Sequence, residues 1–533
     1  MKKIILICVL LAAITLGLYA DFIIPSDDHV YEFLEMTNTL GYTNVDFSVK
    51  PIYYQTIIDA LIKVANNKKA KYYSSQAKYH LDRLGLLNQN GFDTAFLPVT
   101  EIPNELFSSF RYHAKPKRLF TYGENNNTLF RNKNALADET SLYISGMLAY
   151  KYDLKYEGDD NFDRNRKYYG VETAGNFYEN FGYYLFFQKG GWRGDGPFIE
   201  ENPEISKMGN GLYLQNGWYS QVDMTSELDF KNKYLNLSMG YGSMNVGYTI
   251  SSPIILNGDT TPYGYIKYNK KIGGFTYTGF TAQLIPDSLK TNELYKAKSY
   301  ALQTISYSNP RLTIGVGNAV VYGNNTINLA YSSPLAIYKI MDNKYHGWDN
   351  GVLFGYANLN AMKGLSFYGN FFADDLTKSR LKTEYFMMYL AFQGGMKLQL
   401  EHLPLEIAGE ATAVGPGWYS HKSKTYAYTN DDRILGSVHG SNFLSFATRA
   451  RLSHSWLSLT FYYENIQQGD KANAPYNSRK VKFLGDNMER NEVFKSELAL
   501  RVFHELTLKT EYQFHNNKAG EKHYIFNTAE YKF

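Results

Sequence analysis

Three short segments of the chain combine a tryptophan with glycine and polar or charged side chains. Gly191–Asp195 holds an indole, a guanidinium and a carboxylate, and His346–Asp349 and Gly415–Tyr419 repeat this kind of composition. A flat aromatic ring packs on the C–H face of a sugar, while guanidinium, amide and carboxylate groups bond to its hydroxyls. The candidate glycan-binding residues are therefore Trp192, Arg193, Asp195, Trp348, Asp349, Trp418 and Tyr419.

The tryptophans have a second interpretation that needs no ligand. Indole rings collect at the headgroup level of a membrane, whatever else the protein binds. Trp218 starts an alternating segment and fits this role best, whereas Trp192, Trp348 and Trp418 are flanked by glycine or charge. The residue types leave both interpretations open.

Catalysis and metal binding are only weakly indicated. His439 and Ser441 lie two positions apart, but closeness in sequence is not a hydrogen bond, and such pairs arise often by chance. The chain has one cysteine, Cys8, and its sequence shows neither a Cys–His metal spacing nor a phosphate-binding loop. We expect no enzyme activity, no catalytic residues, no metal and no cofactor.

The elements that carry the candidate residues alternate with a period of two. Apolar and polar side chains take turns from residue 141 onward, and His523–Phe533 repeats the pattern and closes on an aromatic residue. Strands of an outer-membrane barrel show this alternation. We therefore expect residues 141–533 to form an all-β transmembrane barrel. On its first strand, one face is predicted to hold Leu142, Ile144, Gly146, Leu148, Tyr150, Tyr152 and Leu154.

The connections between these segments are alternately short and long. Eight short turns are expected near 179–182, 231–233, 270–273, 308–311, 361–364, 402–404, 454–456 and 504–505. Nine long polar connections are expected at 157–167, 190–216, 243–262, 286–297, 322–349, 374–382, 415–441, 466–493 and 515–522. Outer-membrane barrels place short turns in the periplasm and long loops outside. The pattern therefore predicts about 18 antiparallel strands, with the first and last strands open to the periplasm.

The chain begins with the pattern of an export signal. Residues 1–20 pair a basic start with an apolar run, which is typical of a cleaved secretory signal. No later stretch is continuously apolar for long enough to form a transmembrane helix. An exported chain with many amphipathic strands is expected in the bacterial outer membrane.

A helical region is predicted between the signal and the barrel. Residues 21–102 have apolar spacing for three short helices and are expected to form a small periplasmic α-helical domain. This domain is either a passive spacer or a docking or plugging element. Residues 103–140 have no clear pattern and form a junction of unassigned structure.

Composition agrees with a barrel and argues against a nucleic-acid partner. Aromatic residues make up 16% of the chain, which contains 48 tyrosines, while the mean hydropathy is only −0.38. The net charge is +4 and falls to +2 without Lys2 and Lys3, which is too small to indicate nucleic acid. Outer-membrane lipid is the partner that this composition predicts.

A barrel of this size encloses an aqueous lumen unless something fills it. Arg449 and Arg451 alternate with outward Ala450 and Leu452, so both guanidiniums are expected to face the lumen. They either hydrate and cross-link the wall or select passing solutes. The long connections and the helical domain are the segments that can fill the lumen.

The order of signal, small helical domain and wide barrel resembles the capsule assembly family named Wzi. Gly247–Ile266 is similar to the family's segment of a serine and aliphatics, a small polar turn and Pro-aromatic, and Asp349–Val352 with Leu365–Asp375 is similar to a strand pair that ends in an acidic loop. This resemblance implies an outer-membrane lectin that holds capsular or other extracellular polysaccharide at the cell surface. The polysaccharide and the capsule export machinery are the partners it implies, and it brings no catalytic residues.

Two functions from different classes remain. The first is a polysaccharide anchor with a closed lumen, and the second is a porin or sugar-specific diffusion channel with an open lumen. The helical domain favours the anchor, because a simple porin has no obvious need for one.

Overall fold

A computed structural model gives the fold of most of the chain. It describes residues 22–67, 70–84, 120–121, 141–177, 181–195, 198, 218–232, 234–287, 297–323, 328, 330–333, 336–345, 349–374, 385–421, 423–454, 456–470, 481–502 and 506–532. The predicted signal and the candidate Trp348 lie outside the described residues.

Eighteen antiparallel strands form a closed barrel, which confirms the predicted fold class. In chain order, β1 to β18 are Ser141–Glu157, Asp160–Phe177, Phe181–Gly194, Tyr219–Lys231, Asn236–Gly242, Tyr263–Ile272, Phe275–Leu284, Lys298–Ser308, Leu312–Gly323, Asn350–Met362, Leu365–Ala373, Leu390–Gln399, Leu405–Val414, Phe443–Ser453, Leu457–Gln468, Glu489–Arg501, Leu506–Asn517 and Gly520–Lys532. Strand β18 closes the barrel on β1, with a register that runs from Lys522↔Glu157 to Lys532↔Met147. Closure pairs the two strands that would otherwise be edges.

Exposure alternates along the strands. In β1, Leu148 and Tyr150 are 52% and 44% exposed, whereas Met147 and Ala149 are buried. Large apolar side chains recur on the outer face of the other strands, as in Val171, Leu185, Phe187, Val222, Met224, Val316, Phe367, Ile407 and Phe461. Transmembrane barrels present an apolar band of this kind to the lipid. The apolar face predicted for β1 is therefore its outer face.

The eight predicted short turns all lie between strands, but two of the nine predicted long connections are wrong. Strands β1 and β2 meet at a tight turn of Gly158 and Asp159, and β17 and β18 meet at Lys518 and Ala519. Gly158 has a φ of +61°, which glycine adopts without steric cost. The polar residues of 157–167 belong to strands of 17 and 18 residues. These strands run past the roughly 9–11 residues that cross a bilayer.

In the described part of the chain before the barrel, three helices lie within the predicted helical region: α1 (Val30–Thr39), α2 (Tyr54–Ala65) and α3 (Lys71–Arg83). The Asp28 carboxylate accepts a 2.8 Å hydrogen bond from the Val30 N–H at the start of α1, which satisfies an amide of the first turn. The buried apolar side chains of the three helices include Val30, Phe33, Leu34, Ile57, Ile58, Leu61, Ala77 and Leu81. None of the described helices is long and apolar enough to span a bilayer.

The helical region docks on the barrel end that carries the short turns. The Thr39 carbonyl accepts a 3.0 Å hydrogen bond from the N–H of Gly364, in the β10–β11 turn. The Tyr73 hydroxyl donates to the Leu400 carbonyl, in the β12–β13 turn, at 2.8 Å. These contacts favour the docking role over the passive spacer.

Two of the long connections fold back into the barrel, and we call their described residues 243–262, 415–421 and 423–442 the plug. Asn245–Val246 pair with Val49–Lys50 of the helical region. The hydroxyls of Tyr419 and Tyr428 donate to the carbonyls of Ile254 and Ile255, at 3.0 and 2.7 Å. A single hydrophobic core therefore runs from the helices through the plug to the wall formed by β6 to β15.

Two connecting segments add small elements. A fourth helix, α4 (Tyr338–Tyr345), lies in the connection between β9 and β10. Within the junction at 103–140, Phe120 and Thr121 pair with Ile144 and Tyr143 of β1. The remaining residues of the junction lie outside the described part of the chain.

Candidate functional site

The inner wall of β2 to β4 carries a cluster of aromatic and cationic side chains. Trp192 of β3 is 5% exposed, and its indole N–H donates to the side-chain carbonyl of Gln221 on β4. The guanidinium carbons of Arg164 and Arg166 on β2 lie 4.8 and 5.0 Å from the Trp192 ring centroid. Because Arg166 is the register partner of Trp192, strand pairing places both on the same face.

One carboxylate orients both guanidiniums. Asp153 of β1 has a fully buried side chain and accepts hydrogen bonds from Arg164 Nε at 2.9 Å and from Arg166 Nη2 at 2.7 Å. The Phe198 ring centroid lies 4.2 Å from the guanidinium carbon of Arg164. Two cations thus share one carboxylate, and aromatic faces stabilise the excess positive charge.

A chain of amide and carboxylate groups continues along the same wall. Gln221 Nε2 donates to both Asp223 oxygens, at 3.0 and 3.1 Å, and Gln188 Nε2 donates to Asp223 at 3.2 Å. We call Asp153, Arg164, Arg166, Trp192, Gln221 and Asp223 the lumen cluster. Asp153, Arg164 and Trp192 are buried and bonded within the cluster. Arg164 and Arg166 are the members that line the adjoining cavity.

Beside the lumen cluster, the described residues line a cavity of about 400 Å³. Its lining consists of inward side chains from β1, β2, β17 and β18, namely Lys151, Arg164, Arg166, Thr507, Lys509, Glu511, Gln513, Phe526, Thr528 and Glu530. This volume lies within the roughly 300–1,000 Å³ of typical ligand pockets. The cavity and the lumen cluster together form the candidate binding site.

Arg193 and Asp195 do not join Trp192. Arg193 is exposed on the outer face of β3, because it follows the inward Trp192 by one position. Asp195 is exposed beyond the strand end, where its carboxylate accepts a 2.8 Å hydrogen bond from the Asp163 N–H. Glycan contact by these two residues stays a prediction, and it would involve a different surface from that of Trp192.

Trp418 and Tyr419 lie inside the plug and are 2% and 4% exposed. The Trp418 ring stacks on Phe372 of β11, with 4.4 Å between centroids and 14° between planes. The Tyr419 hydroxyl accepts a 3.0 Å hydrogen bond from the Ser437 N–H. Their burial gives both rings a packing role, which the sequence did not reveal because glycine-flanked aromatics also occur in exposed loops.

Asp349 ties the connection around α4 to the start of β10. Its carboxylate accepts a 2.6 Å hydrogen bond from the Tyr331 hydroxyl, and its N–H donates to Asp342 Oδ1 at 3.0 Å. Burial raises the pKa of Asp342 above its usual value. These contacts account for Asp349 without a ligand, while its neighbour Trp348 lies outside the described residues.

Arg449 and Arg451 sit on the inner face of β14. Glu406 of β13 accepts hydrogen bonds from Arg449 at 2.7 Å and from Arg451 at 3.3 Å. Arg451 also pairs with Glu32 of α1 at 2.7 Å. These contacts favour the cross-linking interpretation, because the arginines join the wall to the helical region.

His439 and Ser441, the pair considered for a hydrolase, do not form an accessible site. Ser441 is fully buried, and its hydroxyl donates to the Pro416 carbonyl at 3.1 Å. His439 Nε2 lies 3.1 Å from both oxygens of Glu464. A nucleophile must reach its substrate, and the Ser441 hydroxyl is closed off. Among the described residues, no three His, Cys, Asp or Glu side chains are grouped to hold a metal.

Sequence reasoning missed most of the residues that line the cavity. Arg164, Arg166 and Tyr168 recur at every second position and therefore share one face of β2. The polar residues of 157–167 also fit the predicted loop, and this composition hides the alternation of β2. Once β2 is extended to Asp160, alternation alone places both arginines inside the barrel.

Comparison with known proteins gives matches only at the level of structure. No family model and no curated protein sequence matches the chain. Wzi of Escherichia coli, an outer-membrane protein involved in group 1 capsule assembly and a carbohydrate-binding β-barrel, aligns with 12% identity and a TM-score of 0.59. The alignment covers 96% of this chain and 99% of Wzi.

Two further solved structures, both from Pseudomonas aeruginosa, align over a smaller part of the chain. OprD has 12% identity and a TM-score of 0.43 over 74% of this chain and 95% of its own length. OccK8 (OprE) has 9% identity and a TM-score of 0.45 over 74% of this chain and 98% of its own. The similarity to Wzi, in contrast, extends over nearly the whole chain, and the protein has the fold of an outer-membrane β-barrel with 18 strands.

Proposed function

We propose that the protein is an outer-membrane lectin that binds capsular or other extracellular polysaccharide and holds it at the cell surface. The plug, which occupies the lumen along the wall from β6 to β15, is the observation that carries this proposal. The helical region and the plug share one hydrophobic core with the wall from β6 to β15. A diffusion channel needs a continuous aqueous path through the barrel, whereas an anchor does not.

Buried polar contacts hold the plug in place. Glu410 of β13 accepts hydrogen bonds from the Ile250 N–H at 3.0 Å, from the Thr249 hydroxyl at 3.2 Å and from the Tyr368 hydroxyl at 2.8 Å. Glu410 is 6% exposed, and a buried carboxylate without its donors is costly. Withdrawal of the plug would remove two of these donors, so we treat the plug as a constant part of the protein.

The candidate ligand site is the lumen cluster with its adjoining cavity. Lys151 and Lys509 supply cations there, Glu511 and Gln513 supply acceptors and an amide, and Phe526 supplies a ring face. This mixture suits a hydroxyl-rich ligand with or without acidic groups. The fold shared with a carbohydrate-binding barrel agrees with this assignment, but a fold alone does not define a ligand.

A porin or sugar-specific channel is the second candidate. The cavity of about 400 Å³ favours it, because this polar space lies on the part of the wall that the plug core does not cover. In the channel alternative, the same side chains would line a solute path.

Deletion of the gene in the native strain tests the anchor. We expect polysaccharide to move from the cells to the medium while the total stays unchanged. Complementation with a Lys151→Gln/Lys509→Gln variant should reproduce this shift. A Lys271→Gln/Arg311→Gln variant, which removes two cations at the short-turn end, should restore retention.

An unchanged distribution in the deletion strain would contradict the anchor. Purified protein in planar bilayers then distinguishes the alternatives. The lectin should bind isolated polysaccharide without stepwise conductance, whereas stepwise conductance that Lys151→Gln/Lys509→Gln alters would establish the channel.

A further inference from the structure

The outer face of β2 and β3 carries three exposed cations close together: Lys167, Lys189 and Arg193. Lys167 is the register partner of Gly191. Lys189 and Arg193 lie two positions on either side of Gly191, so all three side chains leave the same face of the sheet. Directly opposed residues are about 5 Å apart and diagonal ones about 7–8 Å. The three cations therefore surround Gly191.

An indole ring covers the glycine at the centre of this group. The Lys167 Nζ lies 5.1 Å from the Trp218 ring centroid. A Cβ at Gly191 would come within 3.1 Å of Trp218 Cε3, so the ring rests directly on the glycine backbone. We call Lys167, Lys189, Arg193 and Trp218 the outer basic patch.

The outer basic patch lies where the apolar band of the wall ends. On β2 the next outward residues toward the short-turn end are Tyr169 and Val171, which are 54% and 47% exposed. On β3 they are Phe187 and Leu185, which are 40% and 38% exposed. In the other direction β2 begins at the Gly158–Asp159 turn. That turn lies at the opposite end of the barrel, which also carries the long connections. With short turns in the periplasm, the patch lies at the headgroup level of the outer leaflet, where tryptophan also concentrates.

The charge of the patch is not neutralised by the described protein. None of its three cations forms an ion pair with a described carboxylate. Asp195 lies two positions after Arg193, and its Oδ2 accepts the Asp163 N–H. Three exposed cations at the edge of an apolar surface create a local positive potential that favours the binding of an anion.

We propose that the outer basic patch binds the phosphate group of an outer-leaflet lipid. A phosphate presents several acceptor oxygens, which the Arg193 guanidinium can engage in a bidentate manner and the two lysines as point charges. The Trp218 ring packs beside the lipid at the boundary between headgroup and acyl chain. This assignment goes beyond the proposed function and holds for an anchor and for a channel.

Native mass spectrometry of the full-length protein in neutral detergent tests this assignment, with diphosphoryl lipid A as the probe. We expect wild-type protein to retain the lipid and the Lys167→Gln/Lys189→Gln/Arg193→Gln variant to bind it on the order of 100-fold more weakly. Each cation near an anionic lipid surface contributes about fivefold. The dephosphorylated lipid should bind wild type as weakly as the phosphorylated lipid binds the variant.

A charge-matched variant controls for the general loss of positive charge. Lys63→Gln/Lys271→Gln/Arg311→Gln removes three exposed cations far from the patch and should retain the lipid. Heat-dependent gel mobility confirms that each barrel is folded. Wild-type affinity in the patch variant, or equal loss in the control variant, would overturn the assignment. Equal competition by inorganic phosphate would show a free-anion site and would also overturn it.

Discussion

Lys397 Nζ on barrel strand β12 lies 2.7 Å from Glu35 Oε2 on helix α1, which joins residues 362 positions apart in the chain. The other oxygen of the same carboxylate accepts a 2.5 Å hydrogen bond from Lys50. The side chains of Glu35 and Lys397 are only 18% and 9% exposed. This carboxylate therefore links the helical region to the inner wall where water screens the charges weakly.

Replacement of Glu35 by glutamine should loosen the helical region. The change leaves Lys50 and Lys397 without their shared carboxylate, and removal of one partner from a largely buried ion pair costs about 3 kcal/mol. Hydrogen exchange measured by mass spectrometry should become faster throughout α1. Glu401→Gln is the matched control, because the Glu401–Lys363 pair is 36% and 48% exposed and is screened by solvent. Unchanged protection of α1 in Glu35→Gln would contradict the role of this pair.

Docking of the helices should resist mild acid. Burial raises the pKa of Glu35, but the ammonium groups of Lys397 and Lys50 outweigh burial and hold this pKa well below its usual value of 4.5. A lowered folded-state pKa means that the carboxylate stabilises the folded state above about pH 4.5, and that this stabilisation disappears as pH falls through the lower value. The charged groups that act with Glu35 are Lys50, Lys397 and Arg451.

Hydrogen exchange of α1, corrected for the intrinsic effect of pH, measures this dependence. Protection should be constant from about pH 8 to pH 5 and fall only in stronger acid. The Glu35→Gln variant should lack this transition. Loss of wild-type protection between pH 7 and pH 5 would contradict the sign of the pKa shift.

A pair of cysteines should lock the helical region to the plug. Val49 and Val246 are antiparallel register partners, so their Cα atoms lie about 4.5–5.5 Å apart, within the range that a disulfide spans. Val49→Cys/Val246→Cys should therefore form a disulfide under oxidising conditions, seen as a mobility shift that a reductant reverses. The natural Cys8 lies in the predicted signal. Val49→Cys/Ser243→Cys, three residues out of register, should remain reduced, and its efficient oxidation would indicate a different docking position.

One glycine should be essential to plug packing. A Cβ on Gly415 would lie 1.8 Å from the backbone oxygen of Met387, an atom that cannot move aside cheaply. Gly415→Ala should lower the thermal unfolding midpoint, since overpacking costs about 1–3 kcal/mol. Gly369→Ala is the control, because the nearest atom to its Cβ would be 3.7 Å away. Equal midpoints for the two variants would show that the plug tolerates movement near Gly415.

Much of the barrel was predictable from local pattern. A strand between lipid and lumen must alternate in polarity, and a slip by one residue exchanges its faces. The strand number, the eight short turns and the outward face of β1 follow from that alternation. The predictions for 157–167 and 515–522 are wrong because strands continue there beyond the membrane. A strand with water on both faces lacks the alternating apolar residues, so its sequence resembles a loop.

The candidate site was less predictable than the barrel. Trp192 and Arg193 are neighbours in sequence, but the pleat sends one into the lumen and the other to the outer face. Trp418 packs on Phe372, and no local pattern separates such a ring from one in an exposed loop. In both settings a glycine-rich connection carries an aromatic residue.

The spacing of residues within single elements predicts the barrel, the faces of its strands and the presence of helices. The three-dimensional packing is needed to see that the lumen is plugged along one side and polar along the other. The Ile250 N–H meets the Glu410 carboxylate across 160 positions of sequence, and Glu35 meets Lys397 across 362. Contacts of that kind depend on which segment enters the closed barrel. Packing of the whole interior decides which segment enters the barrel, so the periodicity within one segment does not predict it.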